Sequence, residues 1–144
     1  MRILFLALAG LLLSGLLTHN PSAFAQRAES GGTGTAAWKL VKKPMNLPDL
    51  PSYSGKATFT NGLMYPNKPG GPAINLMYKA KEPPEQVMSW YQDTLKGNSW
   101  SVVPTKNPNS LRANKGKNGV VVNVSPSKTP GYSTELKISY KLAR

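Results

Sequence analysis

The chain has 144 residues, no cysteine, one histidine and a formal net charge of +12. The lack of cysteine excludes disulfides, thiol nucleophiles and thiolate metal sites. The only histidine, His19, lies in a segment that we expect to be removed, which excludes imidazole catalysis and histidine-based zinc sites from the mature protein. An excess of 18 Lys and Arg over 6 Asp and Glu favours contact with polyanions, the alternative being a charge that only keeps the protein soluble.

The N-terminus has the layout of a secretory signal peptide. Arg2 gives it a positive start, residues 3–17 form an apolar run, and Ala23-Phe24-Ala25 supplies the small-x-small pattern that precedes cleavage. We therefore expect residues 1–25 to be a signal peptide and the protein to be exported, periplasmic or extracellular. The alternative is an uncleaved N-terminal anchor. No later apolar stretch is long enough to cross a bilayer, so no transmembrane segment is expected after cleavage.

Residues 26–49 are rich in glycine and proline and are predicted to form a flexible leader. Prolines such as Pro44 and Pro48 remove backbone donors and interrupt regular structure in its second half. The apolar side chains of this region that can pack onto the following domain are Trp38, Leu40, Leu47 and Leu50. A single α+β domain is expected over residues 50–144.

One amphipathic helix is predicted in EPPEQVMSWYQDTLKG, residues 82–97. Pro83 and Pro84 suit a first helical turn, where no amide donor is needed. An apolar arc of the helix is formed by Val87, Met88, Tyr91 and Leu95. Gly97 is expected to end the helix in the left-handed conformation. The apolar arc predicts that the helix lies on an apolar surface.

Six segments show the alternation of half-buried strands: residues 55–65, 73–79, 99–104, 111–115, 120–125 and 134–142. Asn61-Gly62 is expected to interrupt the first of them. The side chains predicted to point inward include Ile74, Leu76, Tyr78, Trp100, Leu111, Ala113, Val120, Val122, Val124, Leu136, Ile138 and Tyr140. The predicted order is β-β-α-β-β-β-β, an α+β fold in which one helix packs on an antiparallel sheet in two layers.

The stretch from Pro51 to Tyr140 resembles a domain that recurs in bacterial secreted proteins and lipoproteins. The residues that carry the resemblance are Pro84-Glu85, Trp90-Tyr91, Leu95, Trp100-Ser101-Val102 and the strand pair LRANKGKNGVVVNV. This sequence has Ser99 where the pattern has a glycine before the tryptophan, and Tyr53-Ser54-Gly55 lacks the usual proline. The resemblance implies a helix-on-sheet module, similar in layout to those of outer-membrane assembly lipoproteins, with no established catalytic activity.

The candidate functional surface is basic. The residues predicted to contact a polyanion are Arg112, Lys115, Lys117, Lys128, Lys137 and Lys141. Trp90, at the edge of the apolar arc, is predicted as an exposed contact, with core packing as the alternative. The expected partners are an anionic envelope polymer or an anionic lipid surface. Because no aromatic residues are interleaved with these cations, specific nucleic-acid recognition is not expected.

No catalytic, cofactor or metal site is predicted. Glu85 and Asp93 lie roughly 12 Å apart along the predicted helix, which is too far for the paired carboxylates of a glycosidase. We therefore predict a non-catalytic secreted module that contacts the envelope or a polyanion. The alternative is a carrier of a small apolar ligand, held in a pocket between helix and sheet. The predicted lining of that pocket is Met88, Tyr91, Trp100 and Tyr140.

Overall fold

The computed structural model of the protein describes residues 37–142. The predicted signal peptide and the first part of the predicted leader lie outside the described residues. The described elements are β1 Lys39–Val41, β2 Ala57–Tyr65, β3 Ala73–Ala80, α1 Pro84–Gly97, β4 Ser101–Val103, β5 Ser110–Lys115, β6 Asn118–Pro126 and β7 Thr134–Lys141. In this part of the chain, no helix is both long enough and apolar enough to cross a membrane.

The seven described strands form one antiparallel sheet in the order β1-β2-β3-β7-β6-β5-β4. Helix α1 packs against β4, β5, β6 and β7, so the predicted α+β class with a helix on an antiparallel sheet is confirmed. The sheet has one more strand than expected, because Lys39–Val41 pairs with Gly62–Met64. Three residues are too few to show an alternating pattern, and the sequence therefore gives no sign of β1.

The core lies between the helix and one face of the sheet, which we call the inner face. The helix buries Val87, Tyr91 and Leu95 against it. The sheet contributes side chains at alternate positions that match the predicted inward set: Ile74, Leu76, Leu111, Ala113, Val120, Val122, Val124, Leu136, Ile138 and Tyr140. The opposite face, which we call the outer face, carries the residues between them.

Strand β2 continues through Asn61-Gly62, where an interruption was expected. Its register with β3 shifts just before Asn61, which leaves Thr60 as the extra residue of a β-bulge. A Cβ on Gly62 would lie 2.7 Å from the Asn75 carbonyl oxygen and 2.8 Å from the Leu76 side chain. Gly62 therefore permits a close approach of neighbouring strands, and it does not end the strand.

The helix ends in a Schellman motif that positions Trp100. The Trp100 amide donates to the Leu95 carbonyl at 2.9 Å, and the Ser99 amide donates to the Lys96 carbonyl at 3.2 Å. The left-handed residue that these bonds require is Ser99, with φ of 62°. Gly97, expected at that position, remains inside the helix.

Residues 44–53, which we call the strap, lie against the inner face beside the helix. The Trp100 indole Nε1 donates a hydrogen bond to the Asp49 carbonyl at 3.0 Å. The Tyr140 hydroxyl donates one to the Pro48 carbonyl at 2.7 Å. Much of the strap belongs to the predicted flexible leader, and two buried aromatic side chains fasten it to the sheet.

Replacing Ser99 with glycine is expected to raise the free energy of unfolding by about 0.5–1 kcal/mol, because glycine has no Cβ to oppose the left-handed conformation. Denaturant unfolding measures the change. Gly116, with φ of 58° and open space around it, provides the reverse control. Gly116→Ser should lower the stability by a similar amount. A loss in Gly116→Ser without a gain in Ser99→Gly would mean that the Ser99 side chain itself stabilises the motif.

Tyr140→Phe removes the hydroxyl that holds the Pro48 carbonyl, and it is expected to lower the free energy of unfolding by about 0.5–1.5 kcal/mol. Amide hydrogen exchange within the strap should become faster. Tyr132→Phe is the matched control, because the Tyr132 hydroxyl donates at 3.1 Å to Thr58 in an exposed bond that does not involve the strap. Equal exchange rates in the strap of the two variants would contradict the fastening role of Tyr140.

Candidate functional site

A cavity of about 150 Å³ lies between the strap and the inner face of the sheet. It forms at the side of the sheet where the strap, and not the helix, provides the cover. Its floor comes from Ala57, Leu76, Tyr78 and Ile138, on β2, β3 and β7. The helix contributes Tyr91, and the cover includes Met45, Leu47, Leu50 and Tyr53 from the strap. The walls are therefore mainly apolar and aromatic.

The Tyr91 hydroxyl is the unusual polar group of this cavity. The Tyr91 side chain is only 1% exposed, and its hydroxyl has no hydrogen-bond partner within the described part of the chain. Burial, with smaller effects of Tyr78 and Tyr53, strongly raises the pKa of Tyr91. The hydroxyl is therefore neutral at physiological pH and can donate or accept. An unpaired buried hydroxyl costs about 1–3 kcal/mol, so a polar atom placed beside it would be stabilised.

An aromatic cluster holds the Tyr91 ring in place. The centroids of Tyr53 and Trp90 lie 5.0 Å apart, and those of Trp90 and Tyr91 lie 4.9 Å apart, both edge to face. Tyr53 stacks on Tyr91 at 5.9 Å. Trp90, predicted as an exposed contact, is half-buried in this cluster, so only part of its ring is available to a partner. These ring contacts restrict the position of the Tyr91 side chain.

Glu82 borders the cluster as a structural carboxylate. Its Oε1 accepts a hydrogen bond from the Lys56 backbone amide at 2.9 Å, and this bond is the main reason that the pKa of Glu82 is lowered. Burial, together with the neighbouring Glu82 carboxylate, raises the pKa of Tyr53. Residues 37–142 contain no group of three His, Cys, Asp or Glu side chains that could hold a metal ion. The polar groups that line the cavity are suited to hydrogen bonding.

The structure brings only one of the four predicted pocket residues to the cavity, namely Tyr91. Trp100 and Tyr140 lie in the core, where they hold the strap. Met88 faces a different depression, near Val102 and β5. The sequence predicted that Leu47 and Leu50 pack onto the domain, but it did not predict that they, with the floor residues Leu76 and Ile138, line a cavity.

The six predicted polyanion-binding residues do not form one cluster. Three of them, Arg112, Lys137 and Lys141, are exposed on the outer face of the sheet. This face lies opposite the helix, as the sequence predicted for Lys137 and Lys141. Polyanion binding by these three residues stays a prediction. Their positions on one face of the sheet would allow them to contact the same partner.

The other three predicted cations lie elsewhere. Lys115 is half-buried, and its Nζ lies 3.6 Å from the Asp49 carboxylate in the strap. Lys117 is exposed in the turn between β5 and β6. Lys128 is exposed in the loop between β6 and β7, at the opposite end of strand β6. Lys115 therefore contributes to fastening the strap, and the two loop lysines do not share a surface with each other.

A comparison with known protein families identifies the family of this chain. A family model described as START domain-like matches residues 59–135, from β2 through the helix into β7. No curated protein and no solved structure shows a significant match to the chain. The matched segment covers more than half of the 144 residues and contains the helix and most of the sheet on which it packs. The chain therefore belongs to the START domain-like family.

Proposed function

We propose that this protein is an exported, non-catalytic module that binds a small apolar ligand with one polar atom in the cavity beneath the strap. The observation that carries the proposal is the buried, unpartnered hydroxyl of Tyr91, a residue that lines a cavity together with several apolar side chains. Membership of the START domain-like family supports it, because such helix-grip domains often bind hydrophobic ligands. The signal-peptide pattern that ends at Ala25 supports export.

The volume of the cavity sets the size of the ligand. A cavity of about 150 Å³ accommodates a ring of about the size of benzene. A longer ligand requires displacement of the strap, which is held by side-chain contacts and takes no part in the strand ladders. The strap can therefore lift without breaking the sheet. We expect small ring compounds to bind the closed form and longer chains to bind with the strap displaced.

The chemistry of the cavity favours binding over catalysis. Its polar side chains are Asn46, Ser52 and the three tyrosines Tyr53, Tyr78 and Tyr91. Burial raises the pKa of each of the three tyrosines. A hydroxyl that stays protonated is a poor general base but a good hydrogen-bond partner. The nearby Glu82 has a lowered pKa and is bound to a backbone amide, which makes it a poor general acid.

Two probes of similar shape test the proposal: benzyl alcohol, which carries a hydroxyl, and toluene, which does not. Both are titrated into the protein while NMR follows the methyl groups of Leu76 and Ile138 in the cavity floor. We expect saturable shifts with both probes. Tyr91→Phe should lower the affinity for benzyl alcohol about threefold to tenfold, the value of one hydrogen bond. The affinity for toluene should change by no more than about twofold.

The same variant gives a second readout without any ligand. Because Tyr91→Phe removes an unpaired hydroxyl, it is expected to leave the free energy of unfolding unchanged or to raise it by about 1 kcal/mol. Tyr140→Phe, which removes a bonded hydroxyl, should lower it. The absence of saturable shifts at Leu76 and Ile138 with either probe would show that the cavity does not bind ligands of this class.

A further inference from the structure

The outer face of the sheet has no covering layer in the described part of the chain. The helix and the strap both lie on the inner face. The outer face therefore carries the alternate residues of seven strands, and the loop between β6 and β7 bonds to it at Lys79 and Thr58. Such a surface is a candidate for interaction when its side chains share a chemical character.

The charges of this face are mostly positive. The strand register places four cationic residues on this face: Lys79, Arg112, Lys137 and Lys141. It places the carboxylate of Glu135 on the same face. The ion pair that the described residues do form, Lys115 with Asp49, involves the strap on the other side. Lys79 donates a hydrogen bond to the Thr129 hydroxyl at 2.7 Å. The face is therefore complementary to an anionic partner.

The same face also carries exposed apolar side chains. In residues 37–142, the large hydrophobic residues with the greatest exposure are Leu40 at 50%, Met77 at 40% and Val103 at 37%. All three have outer-face positions, because their neighbours along each strand point inward. Leu63, which pairs with Leu40, adds half-buried apolar surface. A soluble polyanion leaves these side chains in water, whereas a lipid interface also takes up apolar side chains.

A concave site lies at one end of this face. In the sheet register Lys141 lies between Ala73 and Gly119. Neither position carries a large side chain, and a cleft of about 310 Å³ lies there. Lys141 Nζ lies close to Gly70, so that a Cβ built there would be 2.9 Å from it. The rim of the cleft includes Tyr65, Lys68 and Arg112. Its volume and its three cations suit a single anionic head group.

We infer that the outer face docks on an anionic phospholipid surface. The cations contact phosphate groups, one head group occupies the cleft around Lys141, and the exposed side chain of Met77 enters the interface. This binding is separate from the cavity beneath the strap, so either activity can fail without the other.

Binding to vesicles tests this inference. Vesicles of mixed phosphatidylglycerol and phosphatidylcholine are compared with pure phosphatidylcholine vesicles in a flotation assay at low and high salt. The wild-type protein should bind only the anionic vesicles, and salt should weaken the binding. Lys137→Glu with Lys141→Glu should lower the affinity at least tenfold. The matched control, Lys42→Glu with Lys43→Glu, makes the same change of charge on exposed leader residues. Its affinity for the anionic vesicles should stay within about threefold of the wild-type value.

Met77→Ser separates a lipid surface from a soluble polymer at constant charge. It should weaken vesicle binding about threefold or more, and it should leave binding to soluble polyphosphate unchanged. Circular dichroism confirms that each variant is folded. Equal losses in the two double variants would overturn the assignment to the outer face. Vesicle binding that is unaffected by Met77→Ser, with tight binding to polyphosphate, would overturn the lipid surface in favour of a polymer.

Discussion

Two hydrogen bonds from buried aromatic side chains to backbone carbonyls determine the shape of the inner side of this molecule. Trp100 and Tyr140 pack edge to face, with centroids 6.2 Å apart, and so hold Asp49 and Pro48 as a pair. A proline-rich segment lacks amide donors and cannot extend the sheet as a regular strand. The side-chain donors let this segment cover an apolar sheet surface without filling the space beneath it.

The elements with one buried face could be predicted from the sequence. In β7, Leu136, Ile138 and Tyr140 alternate with polar residues because solvent occupies the other side. The end of the helix could not be placed as well. Ser99 takes the left-handed position because the next residue, Trp100, must be buried in the core, and a local pattern does not contain that tertiary constraint.

The candidate site was predictable only in part, because its walls come from distant parts of the chain. Tyr91 was expected to point inward, and it does. The packing of Leu47 and Leu50 onto the domain was also expected and is confirmed. The bonds that hold the strap could not be predicted, because they join residues 51 and 92 positions apart. The strap also precedes residues 59–135, the segment that matches the START domain-like family. The cavity thus combines the family's helix-on-sheet unit with a segment outside the matched range.

The borders of the sheet have a further consequence for association between molecules. Both edge strands, β1 and β4, contain only three residues. Each edge strand therefore offers few free backbone hydrogen-bonding groups to a second chain. Next to β1, the adjacent part of β2 contains the β-bulge at Thr60. Short and irregular borders oppose edge-to-edge growth of sheets. Within residues 37–142, the short edge strands therefore disfavour association of two molecules through their strand ladders.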